Sequence, residues 1–89
     1  MPDKEPEWFL YLIRCSGGQL YTGITTDVER RYSEHSEGKG AKFLRGKGPL
    51  QLVFSENIGT HSDALKTELK IKKLRKSEKE ALIQRGSIV

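Results

Sequence analysis

Apolar residues fill positions 8–13 without a polar break, Trp8-Phe9-Leu10-Tyr11-Leu12-Ile13. A strand with one wet face alternates, so an unbroken run predicts a strand covered on both faces and central in its sheet. Ser16-Gly17-Gly18-Gln19 reads as a turn and Leu20-Tyr21-Thr22-Gly23-Ile24 as a second strand. The two are expected to close as a hairpin. Thr26, with Glu29 three residues later, has the form of a capping box and predicts a helix to about residue 37. Its inward stripe is Val28, Arg31, Tyr32 and His35, and Gly38 is its expected stop. Residues 38–49 read as a loop and residues 51–55 as a third strand. Thr60 or Ser62 should cap a helix over residues 63–75. Ser77, with Glu80 completing Ser-x-x-Glu, should cap a last helix that Gly86 ends. The order β-β-α-β-α-α is that of an α+β fold, with three strands and helices packed against them, enough for independent stability.

The hairpin register decides what the two strands can build. A two-residue turn at Gly17-Gly18 pairs Arg14 with Tyr21 and puts Tyr11 and Tyr21 on opposite faces. A loop of odd length, or a bulge, puts both tyrosines on one face. If they share a site, the odd loop is expected.

The chain of 89 residues is expected to be one domain, 8–89, behind a frayed tail, 1–7, in which Pro2 and Pro6 lie among charges. The net charge of +4 and pI near 9.3 favour polyanions. A single cysteine, Cys15, excludes an internal disulfide and a cysteine zinc cage. The N-terminus has no apolar h-region, and the longest apolar run is too short to span a bilayer. A cytoplasmic protein that does not enter membranes is expected.

Two charges fall where apolar residues belong. Arg31 shares the inward stripe of the first helix, so it either snorkels, finds an internal partner, or faces an anion. Glu68 projects from an arc bounded by Ala64 and Ile71 on one side and Leu65 and Leu69 on the other. It is either an ion-pair partner of Lys72 or Arg75, or a ligand for a metal. Tyr11 and Tyr21 are either packing residues or hydroxyls that position or deprotonate water. Phosphodiester cleavage needs a cation on the phosphate, a metal ion, and a group that activates water. Arg31, Glu68, and Tyr21 or His35 fill those three roles, and one carboxylate suffices for Mg²⁺ or Mn²⁺. Lys39, Lys42, Arg45 and Lys47 punctuate a loop without acids, and Lys72 lies on a basic helix face. These either contact a phosphate backbone or are solvated.

At these residues the chain resembles the GIY-YIG nuclease superfamily, and most closely its small single-domain branch of YhbQ-like (UPF0213) proteins, over about residues 8–85. Phe9-Leu10-Tyr11 stands where the family has Gly-Ile-Tyr, and Tyr21-Thr22-Gly23 where it has Tyr-Ile-Gly. Arg31 has the spacing of the family's catalytic arginine, with His35 four residues on, and Glu68 matches its metal-binding glutamate. Phe9 replaces the first glycine of the motif, and the asparagine that many members carry after the glutamate has no counterpart. The resemblance implies a three-stranded antiparallel sheet flanked by helices and one divalent metal, Mg²⁺ or Mn²⁺, on Glu68. It implies water attack assisted by Tyr21 or His35, with Tyr11, Tyr21, Arg31, His35 and Glu68 as the catalytic set. The implied activity is endonucleolytic hydrolysis of DNA that is double-stranded, branched or damaged, in repair or branch processing. A non-catalytic DNA-binding module on the same fold is the alternative. Larger relatives bind DNA through a second domain, so a partner protein or a second copy is expected to help here.

Overall fold

A computed structural model describes residues 6–88. Of the expected N-terminal tail, residues 1–5 lie outside the described residues, and the Glu7 carboxylate accepts a hydrogen bond from the Asn57 amide at 2.9 Å. The elements are β1 (Trp8–Arg14), β2 (Leu20–Thr25), α1 (Val28–Ser36), β3 (Gln51–Gly59), α2 (His61–Lys72) and α3 (Lys76–Arg85). The three strands form one antiparallel sheet in the order β2-β1-β3, so the unbroken apolar strand is the central one.

Alternation along β1 divides the interior into two small cores. Leu10 and Leu12 face α2 and α3, packing with Phe54, Ile71 and Leu82. Tyr11, Ile13 and Cys15 face the other way, against Leu44 and partly buried Val28 and Tyr32 of α1. Leu10, Leu12 and Ile13 are fully buried, each contributing about 1.5–3 kcal/mol. α1 thus covers one face of the sheet while α2 and α3 cover the other.

The hairpin takes the odd register. Cys15 N–H donates to Gln19 O at 2.8 Å and Gly18 N–H to Cys15 O at 2.9 Å, leaving a three-residue loop, 16–18. Gly18 adopts φ +92°, the left-handed conformation such a loop requires. Ile13 therefore pairs with Tyr21 and Tyr11 with Gly23. Both tyrosines lie on the α1 face.

Several element ends differ from the sequence expectation. Asp27, not Thr26, caps α1: its carboxylate accepts from Arg30 N–H at 3.1 Å, while the Thr25 hydroxyl accepts the Asp27 N–H at 3.1 Å and fixes that residue. β3 runs to Gly59 rather than 55, because β1 still offers partners to Glu56 and Asn57; Val53 and Ile58 are extra residues at register shifts. Thr60 caps α2, which ends at Lys72. α3 starts before Ser77. Glu78 reaches back to accept the Arg75 N–H at 2.8 Å, and Glu80 is taken by a forked ion pair with Arg14 at the end of β1. Residues 42–44 of the long loop form one turn of 3₁₀ helix.

Candidate active site

Tyr11 is the hub. It is 2 % exposed, and its ring is laid across Gly23, its cross-strand partner. A Cβ at Gly23 would fall on the hydroxyl end of that ring, so only glycine leaves it room. The hydroxyl therefore reaches toward the outer strand β2. Its pKa is pushed up to about 12, first by burial and then by Tyr21; nearby Arg31 opposes this and Glu68 adds to it. At neutral pH it holds its proton.

His35, the last inward position of α1, is 2 % exposed and meets Tyr11 Oη through Nε2 at 2.8 Å. Its Nδ1 lies 3.1 Å from the Ala41 backbone N–H. An amide N–H can only donate, so Nδ1 must accept and the ring proton sits on Nε2, donating to the Tyr11 oxygen. Burial first, and then Arg31, lowers the His35 pKa, which favours this neutral ring. Gly40 supplies the space: a side chain there would occupy the imidazole. Both His35 nitrogens are thus committed, and Tyr11 must aim its own proton elsewhere. Tyr21 completes an aromatic cluster, its ring 6.3 Å from Tyr11 and 5.5 Å from His35 between centroids. Its hydroxyl makes no hydrogen bond among the described residues.

The two charges flank this cluster. Arg31 is half-buried and pairs with Glu34, one turn along α1, at 2.9 Å; that contact foremost, with help from Tyr11, keeps its pKa above the ordinary arginine value. Glu68 of α2 keeps only 17 % of its side chain exposed and pairs with Lys72 at 3.2 Å. The apolar arc around it is buried on one side only: Ala64 and Ile71 are covered, while Leu65 and Leu69 are 43 % and 61 % exposed. Arg31 and Glu68 both act on the Tyr11 hydroxyl, and each already has a neutralising partner on its own helix. Neither pair is sealed from solvent, so a stronger ligand can displace it.

Among the described residues no group of three His, Cys, Asp or Glu side chains converges. A donor set with Glu68, largely covered, as its carboxylate is of the kind that suits a hard cation that keeps most of its waters, as Mg²⁺ does. It does not fit a caged zinc.

The basic residues of the long loop lie at the surface. Lys39 pairs with Glu37 at 3.5 Å, Lys42 and Arg45 are exposed, and Lys47 Nζ stands 3.5 Å from the centroid of the Phe43 ring. Sequence reasoning passed over Phe43, which stacks on Tyr21 with centroids 6.0 Å apart and 23° between planes. Its signal was an aromatic residue inside a basic loop. It also passed over Glu34, a carboxylate one turn from Arg31, and Gly23 and Gly40, whose roles need tertiary contacts to be seen. Among the described residues no helix is long and apolar enough to cross a membrane.

The three-stranded antiparallel sheet thus brings an arginine, a glutamate and a second tyrosine to bear on the buried Tyr11 hydroxyl, and the family to which the chain belongs is a nuclease-type one. The chain belongs to the GIY-YIG catalytic domain family, which matches residues 7–81. Within it the chain falls in the UPF0213 branch. It is 62% identical over 77 residues to a UPF0213 protein of Cronobacter sakazakii, covering 86% of this chain and 81% of that one. It is 60% identical over 80 residues to the UPF0213 protein YhbQ of Escherichia coli K12, covering 90% and 80%. Among solved structures it is similar to the UPF0213 protein BH0048 from Bacillus halodurans, with TM-score 0.60, 38% identity, and coverage of 92% and 87%. It is also similar to the protein EF2693 from E. faecalis, with TM-score 0.63, 34% identity, and coverage of 94% and 90%.

Proposed function

We propose that the chain is a divalent-metal-dependent endonuclease that hydrolyses phosphodiester bonds in DNA. The observation that carries the reading is the Tyr11 hydroxyl. A buried oxygen with a committed histidine on one side is acted on by a guanidinium and a carboxylate from separate helices. Family membership supports the same reaction class. Arg31 binds a non-bridging phosphate oxygen and stabilises the charge that grows there, exchanging Glu34 for the phosphate. Tyr11 donates its proton to a second phosphate oxygen. His35 is a positioning residue that locks the Tyr11 oxygen and does not take its proton. Tyr21, whose hydroxyl is otherwise unused, orients or deprotonates the attacking water. Glu68 would hold Mg²⁺ or Mn²⁺, which supplies Lewis-acid stabilisation of the oxyanion when bound.

A second reading, a DNA-binding module without chemistry, is favoured by one observation: Arg31 and Glu68 are both already paired. Incubating the protein with branched, duplex and single-stranded DNA, with and without Mg²⁺ or Mn²⁺, separates the two. Metal-dependent cutting that disappears in Arg31→Ala and in Glu68→Ala is expected. Salt-sensitive binding with no product under any metal would establish the module instead.

A further inference from the structure

At the outer edge of β2 a recess of about 250 Å³ opens, lined by Leu20, Tyr21, Thr22, Phe43, Lys72 and Lys79. β2 is the terminal strand of the sheet, and among the described residues no further strand covers this edge. The recess is walled by the 3₁₀ turn on the α1 side and by α2 and α3 on the other. Phe43 is 45 % exposed, while the next residue, Leu44, is 2 % exposed and does the packing. Phe43 is nevertheless held in place, with Tyr21 nearly parallel to it and the Lys47 ammonium over its ring. Thr22, 3 % exposed and with no hydrogen-bond partner for its hydroxyl among the described residues, lines the same recess.

We infer that this recess takes an unpaired nucleobase of the bound strand, which stacks on the Phe43 ring in place of the Lys47 ammonium, with Tyr21 backing that ring, while Lys72 and Lys79 hold its phosphates. Flat aromatic walls with ammonium groups at the mouth match a ligand that joins a π-face to an anion. An acidic peptide would satisfy the lysines and leave the aromatic walls unused. A base inside a duplex has both faces covered by its neighbours, so only an unpaired or extruded base can enter. The substrate class is therefore DNA that presents an unpaired nucleotide next to the phosphate bound by Arg31. Lys72 joins the two sites, because it also pairs with Glu68. The inference rests on the nuclease reading only for the identity of the polymer.

The test is fluorescence anisotropy with a labelled short deoxyoligonucleotide, single-stranded or annealed to its complement, in EDTA so that nothing is cut. Wild type should bind the single strand more tightly than the duplex. Phe43→Ala should weaken single-strand binding about tenfold, the size expected of one base–aromatic stack, and leave duplex binding unchanged. Phe43→Trp should stay within about twofold of wild type, and its added indole fluorescence should be quenched by the oligonucleotide. Lys79→Ala should weaken both and lower the salt slope by about one. The inference is overturned if wild type shows no preference for the single strand. It is also overturned if Phe43→Ala loses nothing, or loses equally on both DNAs. Cutting in Mg²⁺ is scored separately. Phe43-dependent binding without cutting removes the nuclease reading and keeps this one; cutting without Phe43 dependence does the reverse.

Discussion

Tyr11 Oη and His35 Nε2, 24 positions apart in the chain, meet at 2.8 Å and tie the central strand to the last turn of α1. The same imidazole receives the Ala41 N–H, so one side chain fixes a strand, a helix and the start of the basic loop. His35→Ala leaves a buried amide and a buried hydroxyl each short of a partner, together with a cavity. A loss of about 2–4 kcal/mol in unfolding free energy is expected from denaturant titration. His35→Phe keeps the volume and should lose less stability. It should still lower kcat, because Tyr11 is no longer held, and Arg31→Ala should not show this pattern of stability and rate together.

The neutral state of His35 sets a pH dependence. Burial and Arg31 lower its pKa in the folded chain below the ordinary 6.5 of the unfolded one. Below about pH 6.5 the unfolded state therefore binds the extra proton first. This contribution to stability is complete above that pH and is lost as pH falls through the native value, below which the loss levels off. The slope cannot exceed about 1.4 kcal/mol per pH unit, the limit for one proton. Unfolding free energies at several pH values between 7.5 and 5 should show the decline in wild type and not in His35→Phe. An equal decline in both would assign it to other groups.

The sheet and its centre were legible because an unbroken apolar run admits few other readings. The helices were legible by type and less so at their ends. Thr25, Thr26 and Asp27 are all capping residues, and the folded chain uses the third, whose carboxylate accepts the Arg30 N–H while its own N–H goes to the Thr25 hydroxyl. The hairpin register is not legible in the sequence, since Gly17-Gly18 has equally the form of a two-residue turn; the pairing of Cys15 with Gln19 and of Arg14 with Leu20 decides it. Arg31 and Glu68 stood out as charges at apolar positions, and the Glu68–Lys72 pair follows from i, i+4 spacing. The Tyr11–His35 contact, the room left by Gly23 and the exposure of Phe43 depend on elements meeting in space. No periodicity along the chain encodes them.

Gly23 carries the sharpest steric prediction. Its Cβ would overlap the Tyr11 hydroxyl and come within 2.5 Å of Cζ, on a ring bounded by His35 and Tyr21. Gly23→Ala must push Tyr11 off His35, at a cost of about 1–3 kcal/mol for overpacking. Cutting should fall as far as it does in Tyr11→Phe, and the double variant should be no worse than the worse single. Additive losses in rate would show that Gly23 acts through something other than Tyr11.

Lys72 offers a test in which two readouts move in opposite directions. Its ammonium sits 3.2 Å from Glu68, with the lysine side chain half-exposed, so it competes with any cation for the same carboxylate. Lys72→Met removes the competitor. Mn²⁺ affinity by titration calorimetry should rise about two- to fivefold, corresponding to a partly exposed pair worth about 0.5–1 kcal/mol. DNA binding in EDTA should weaken, with a salt slope smaller by about 0.9, the signature of one phosphate contact removed. Glu68→Gln should abolish the Mn²⁺ signal and leave the salt slope intact. If Lys72→Met leaves Mn²⁺ affinity unchanged while Glu68→Gln lowers it, the metal approaches Glu68 from the side away from the lysine. If neither variant moves it, the cation does not bind at Glu68, and the carboxylate is only the partner of its lysine.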